Sequence, residues 1–189
     1  MSETLAPGLL IAAPTMIDPR FEKSVILLAE ANEDGALGFV INRRTPFTFS
    51  DISDELPFEL AESARHEVVH YGGPVSPERG WVLYRGKPEP DDDPESVLQV
   101  DEDIRLAATL DVLARFVTHE TQEPFKLLLG YAGWAPSQLE TELKEGSWLP
   151  LDLDAAFVFE TPTEQLWEQA LKQLGLAPGG FVMGSGGSA

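Results

Sequence analysis

Residues 24–42 read Ser24-Val-Ile-Leu-Leu-Ala-Glu-Ala-Asn-Glu-Asp-Gly-Ala-Leu-Gly-Phe-Val-Ile-Asn42. Two runs rich in aliphatic and β-branched residues, Ser24–Glu30 and Ala36–Asn42, flank Asn32-Glu33-Asp34-Gly35. Asn, Asp and Gly tolerate the left-handed backbone that a tight reversal needs, so this segment predicts a β-hairpin. Outward from it, strands and helices interleave irregularly with no steady βα repeat, which predicts α+β rather than a doubly wound parallel sheet.

Upstream, Gly8-Leu-Leu-Ile-Ala-Ala-Pro14 follows Glu3 with no basic lead-in and stops at Pro14, so it reads as a strand and not as the core of a secretion signal. Downstream, Ile52, Leu56, Leu60 and Ala64 recur at helical spacing over Phe49–Leu56 and Pro57–Arg65, with Ser50 and Asp51 as caps. Val68–Tyr71, Trp81–Arg85, Val97–Val100, Ile104–Ala108 and Phe125–Tyr131 read as strands, and Thr109–His119 as an amphipathic helix. Ser137-Gln-Leu-Glu140 has the spacing of a capping box. Thr161-Pro162-Thr163-Glu164 opens a last helix that Gly175 ends. Glu89–Asp103, with eight acids and no base, reads as a solvated loop.

A chain of 189 residues with 43% hydrophobic and 24% charged residues is sized for one domain or two tightly joined subdomains. The expected boundaries are 1–177 for the folded region and 178–189 for a flexible Gly/Ser-rich tail. The absence of cysteine removes disulfides, thiolate metal sites and thiol nucleophiles, and fits the cytoplasm. No apolar run is long enough for a membrane-spanning helix, so no membrane partner is expected. Thirty-two acids against thirteen bases give a formal charge of −19, which opposes direct contact with nucleic acid. Gly-x-Gly-x-x-Gly, P-loop and EF-hand patterns are missing from residues 1–177, and no cofactor is expected.

His66-Glu-Val-Val-His70 matches H-E-x-x-H, in which a helix sets two imidazoles one turn apart on a zinc ion. Yet Val68-Val-His-Tyr71 has strand character. On a strand the two His Cα atoms would lie roughly 13 Å apart, at about 3.3 Å per residue, too far to share an ion. The third ligand of the longer metzincin pattern is also missing, because Ser76 stands there. No Gly-x-Ser-x-Gly elbow marks a serine nucleophile, so no catalytic and no metal residue is assigned.

Gly72-Gly-Pro-Val75 and Gly130-Tyr-Ala-Gly-Trp134 each follow an expected strand. Two such corners at one end of a sheet would offer close backbone approach, free amides and the faces of Tyr131 and Trp134. At these residues the chain resembles the YqgE/AlgH family of bacterial proteins. The likeness also runs through Asp18-Pro-Arg-Phe21, Ser24-Val-Ile26, Gly35-Ala-Leu-Gly38, Ile41-Asn42, Gln138-Leu-Glu140 and Trp148, over about residues 6–176. The resemblance implies an α+β fold with a bifurcated, mostly antiparallel sheet enclosing a small barrel and surrounded by helices. It implies no catalytic residues, since the family's biochemical role is unsettled and one branch is named for transcriptional regulation. The matching motif positions are the expected ligand-binding set: Pro14, Asp18, Phe21, Asn42, Gly72, Gly73, Pro74, Tyr131, Gly133, Trp134, Gln138 and Glu140. Many members carry Cys-Glu-His where this chain has Ala29-Glu30-Ala31, so thiol chemistry does not carry over. The resulting expectation is a non-catalytic cytoplasmic protein that binds a small molecule or protein partner in a Gly/aromatic groove. The alternatives are a transcriptional regulator acting directly or through a partner, and a zinc hydrolase using the His66–His70 string.

Overall fold

The computed structural model describes residues 4–120 and 123–179. Most of the expected tail, from residue 180 on, lies outside them. The fold is mixed α+β with mostly antiparallel strands, and the backbone divides into two compact units, residues 1–42 with 132–189 and residues 43–131.

In the first unit, β1 (Gly8–Ala12), β2 (Val25–Asn32) and β3 (Gly35–Val40) form an antiparallel ladder, with β10 (Trp148–Leu151) beside β1. The hairpin forms as expected. Asn32 pairs with Gly35 across the two-residue loop Glu33–Asp34, and the Asn32 side chain accepts the Asp34 N–H at 2.8 Å. Consecutive residues of β1 and the first half of β2 are all buried. Both sheet faces are therefore covered, which is why these strands read as continuous apolar runs and not as alternating ones. Leu10, Ile26, Leu28, Val40, Leu139 and Trp148 share one core cluster, while Trp167 of α6 (Leu166–Gln173) donates its indole N–H to the Ala12 carbonyl at 2.8 Å. Gly175, at φ +74°, ends that last helix as expected, although its first turn, Thr163–Gln165, is 3-10.

In the second unit, β4 (Arg44–Thr48), β5 (Val68–Tyr71), β6 (Val75–Arg85), β7 (Val97–Gln99), β8 (Ile104–Ala107) and the first part of β9 (Phe125–Trp134) lie in the order β4-β5-β9-β6-β8-β7. The β5–β9 pair is parallel. One face is covered by α1 (Phe49–Ile52), α2 (Glu62–Arg65) and α3 (Leu110–Val117). Phe49, Val69, Val82, Tyr84, Phe116 and Leu127 form its core. Strand β9 changes partners along its length: residues 125–131 pair with β5 and β6, and residues 132–134 pair with β3. That change of partner is the bifurcation the resemblance implies.

Three local expectations are corrected. The helix expected over Phe49–Leu56 forms as an α turn, Phe49–Ile52, running into a 3-10 turn, Ser53–Glu55, whereas that expected over Pro57–Arg65 shrinks to the single turn Glu62–Arg65; Thr48, not Ser50 or Asp51, is the cap of the first, with Asp51 Oδ2 accepting its N–H at 2.8 Å. Ser137 forms no capping box. It sits in the left-handed region at φ +66°, and the Gln138 side chain takes the Ala135 N–H at 3.0 Å instead. The acidic stretch is not wholly solvated, because Asp92 pairs with Arg115 of α3 at 2.9 Å.

Candidate functional site

The expected binding residues fall into the two units. Pro14, Asp18, Phe21, Asn42, Gly133, Trp134, Gln138 and Glu140 belong to the first. Several of them are engaged within it. Asn42 clamps the start of β2, accepting the Val25 N–H and donating to the Lys23 carbonyl, both at 2.9 Å. Asp18 accepts the Arg20 N–H at 2.9 Å and pairs with its guanidinium at 2.8 Å. Phe21 meets the Trp148 ring edge-on, with centroids 5.7 Å apart. Pro14 is half-buried after β1, while Gly133 and Glu140 are exposed.

The hub of this region is a residue the sequence reading missed. Glu142, on α4 (Gln138–Lys144), accepts the indole N–H groups of Trp134 at 2.9 Å and Trp148 at 2.8 Å. Its other oxygen takes the Gln138 amide at 3.0 Å, one helical turn away. A carboxylate shared by two buried indoles satisfies donors that would otherwise each cost about 1–3 kcal/mol to bury. The signal was available: two Trp donors without an obvious acceptor, and an acid four residues after Gln138.

Gly72, Gly73, Pro74 and Tyr131 belong to the second unit. Here the two glycine corners meet backbone to backbone. A Cβ on Gly72 would strike the Gly130 carbonyl oxygen, and one on Gly130, at φ +78°, would strike the Gly73 carbonyl oxygen. The Gly72 N–H donates to the Leu129 carbonyl at 2.7 Å, and Val75 lies opposite Tyr131 in the ladder. These glycines are required by the crossing itself.

The His66–His70 string is split between elements. His66 is the exposed residue that ends α2, and His70 lies within β5, so the single helical turn of the zinc motif is not formed. His70 is instead a buried polar side chain without a hydrogen-bond partner among the described residues, as is the Tyr84 hydroxyl in the same unit. His70 is 8% exposed, and both of its ring nitrogens lack a partner there. The Val68 backbone lies near enough to favour the charged ring but not in hydrogen-bond geometry. Burial, then Lys126, then Arg44 push its pKa down from 6.5 to about 4, so the ring is neutral at pH 7. Lys126, also 8% exposed, is lowered to about 8, first by burial and then by Arg44.

A second feature is a concavity of about 310 Å³ beside α3, walled by Asp91, Asp92, Asp93, Asp111 and Arg115. Its acids are partly engaged: Asp92 pairs with Arg115, and Asp93 accepts the Ser96 hydroxyl at 2.6 Å.

Together these features define a class, small mixed α+β proteins whose mostly antiparallel strands exchange partners along one long strand. Within it, the AlgH-like family model matches residues 9–179, and the chain belongs to that family. It is similar to a UPF0301 protein of Anaeromyxobacter dehalogenans, at 44% identity over 97% of this chain and 95% of the relative. A UPF0301 protein of Vibrio cholerae is 37% identical over 89% and 91% of the two chains. Among solved structures, the AlgH protein of Pseudomonas aeruginosa superposes with a TM-score of 0.76 at 32% identity, covering 93% of this chain and 92% of that one. A Corynebacterium diphtheriae protein at 21% identity, TM-score 0.66, covers 89% and 86% and shares the fold.

Proposed function

We propose that this chain is a non-catalytic cytoplasmic protein that binds a small molecule or a protein partner, with recognition centred on His70 and the adjoining Gly72–Pro74 corner. The observation that carries this reading is the imidazole of His70, a buried polar group whose donor and acceptor meet none among the described residues. A buried unsatisfied polar group costs about 1–3 kcal/mol, a cost that a bound ligand completing its hydrogen bonds would offset. The engaged side chains around Trp134 give that half of the expected set a holding role. Support for the cytoplasm is the cysteine-free sequence. A regulatory role, the other reading, would run through a protein partner, because a charge of −19 opposes phosphate contact.

Amide chemical-shift mapping with metabolite and peptide libraries tests the reading. Shifts clustered at residues 70–74 are expected. Binding that moves only the Trp134–Glu142 region, or turnover of any added compound, would contradict it.

A further inference from the structure

Away from His70, the concavity beside α3 combines an acidic wall with a second buried polar group. Four acids, Asp91, Asp92, Asp93 and Asp111, and one base, Arg115, line its volume of about 310 Å³. Two of the acids are held in place. Asp92 accepts the Glu89 N–H at 2.8 Å and pairs with Arg115 at 2.9 Å, while Asp93 accepts the Ser96 hydroxyl at 2.6 Å and the Glu95 N–H at 3.1 Å. Asp91 and Asp111 are exposed.

Excess negative charge by itself gathers only mobile counter-ions. Tyr84 of β6 gives this concavity a fixed polar point. The residue is 3% exposed, and its hydroxyl has no hydrogen-bond partner among the described residues. The phenol packs in one core cluster with Val112 and Val97, which also line the concavity, and the Arg115 guanidinium lies over its ring, 5.7 Å from the centroid. Burial first, and then the Asp92 carboxylate, raise the pKa of the hydroxyl and keep it protonated; Arg115 acts in the opposite sense without reaching hydrogen-bond geometry. The hydroxyl is therefore directed at the floor of the concavity, beneath the Asp92–Arg115 pair.

The chemistry of these walls selects the ligand. A phenol oxygen beside carboxylates accepts N–H groups. Acids on two elements, the loop before β7 and the first turn of α3, suit positive charge spread along a chain rather than a single ion. No three acids or histidines among the described residues are placed to hold a metal. Val97 and Val112 offer apolar surface to the methylene groups of an aliphatic cation.

We infer that this concavity binds an alkylammonium group, either of a linear polyamine or of a lysine side chain. One ammonium donates to Asp92 and to the Tyr84 hydroxyl oxygen as Arg115, whose side chain is 35% exposed, swings towards solvent. Asp91 and Asp111 accept further N–H groups, in hydrogen bonds strengthened by the charge on both sides. No bond is made or broken. The site is separate from His70 and does not rest on the binding reading above.

The test uses the intact chain. Amide ¹H–¹⁵N resonances are followed while spermidine or a Gly-Lys-Gly peptide with blocked ends is added, with sodium chloride and magnesium chloride at matched ionic strength as references. Saturable shifts confined to residues 91–97 and 109–115 are expected with at least one of the two amines and with neither salt. A response to spermidine alone assigns a free polyamine, and a response to the peptide alone a protein partner. Asp111→Asn, at an exposed position, is expected to weaken binding about tenfold. Tyr84→Phe is expected to weaken it about fivefold with no loss of folding stability, because the hydroxyl it removes is unsatisfied. Shifts spread over every acidic surface, an equal response to magnesium, no response to either amine, or unchanged affinity in either variant would overturn the inference.

Discussion

Glu142 in the first unit and His70 in the second are both polar side chains drawn in beside glycine-marked turns and aromatic rings, and they end in opposite states. Glu142 is saturated by two indole donors and an amide, so its surroundings are a closed network. His70 has two ring nitrogens with no partner among the described residues and two cations beside it. The same composition, Gly with aromatics after a strand, is therefore no guide to binding by itself. What separates a holding cluster from a recognition site is whether the polar groups are already satisfied.

That contrast can be broken most forcefully at the glycine crossing of the second unit. Gly130→Ala places a Cβ against the Gly73 carbonyl at a left-handed φ, and a loss of about 3–5 kcal/mol in denaturant unfolding, or failure to fold, is expected. A loss under about 1 kcal/mol would show that the corner is open enough to be a groove rather than a closed crossing.

The closed network of the first unit is tested next. Glu142→Ala strands two buried indoles and is expected to cost about 3 kcal/mol, with a change in tryptophan fluorescence, whereas Glu140→Ala on the exposed face should cost under about 0.5 kcal/mol. Equal costs would remove the distinction between the two acids.

Acid tests the open site. Because burial and the neighbouring cations depress the folded-state pKa of His70 from 6.5 to about 4, the unfolded chain binds the extra proton first as pH falls. The contribution is fully present above pH 6.5 and is lost as pH drops toward 4, amounting to about 2 kcal/mol by pH 5. Unfolding midpoints measured from pH 7 to 5 should fall accordingly in the native chain and fall less in His70→Phe.

The smallest effect sharpens the local geometry of the first unit. Ser137→Gly relieves a left-handed backbone and is expected to be neutral or to stabilise by up to about 1 kcal/mol. A capping serine would instead be missed on replacement, so a clear loss of stability would restore the capping box.

The hairpin at residues 24–42 was legible because turn chemistry and apolar runs agree there, and β1 because one apolar run is long enough to be a strand and too short to cross a membrane. Strand β4 was hidden: Arg44-Thr-Pro-Phe-Thr48 has a proline and a bulge and pairs on one side only, so its pattern carries no alternation. Strand β10, with Pro150, was hidden for a similar reason. The helix expected over Pro57–Arg65 was overextended because the helical spacing of Ile52, Leu56, Leu60 and Ala64 is also met by separate turns packing on one core. Of the site, Gly72, Gly73 and Tyr131 were visible as a motif. The significance of His70 was masked by a zinc-like string, and that of Lys126 emerges only from the register, which sets it two residues along β9 from Leu128, the partner of His70. Burial and charge across strands distant in sequence are set by pairing, which no local pattern encodes.

The central claim is that His70 is a neutral imidazole, without a hydrogen-bond partner among the described residues and held among cations. Its ring resonances, followed by ¹⁵N NMR from pH 8 down to the acid limit of the fold, test this directly. The account predicts a midpoint near pH 4. A midpoint at the ordinary imidazole value of about 6.5 would contradict it.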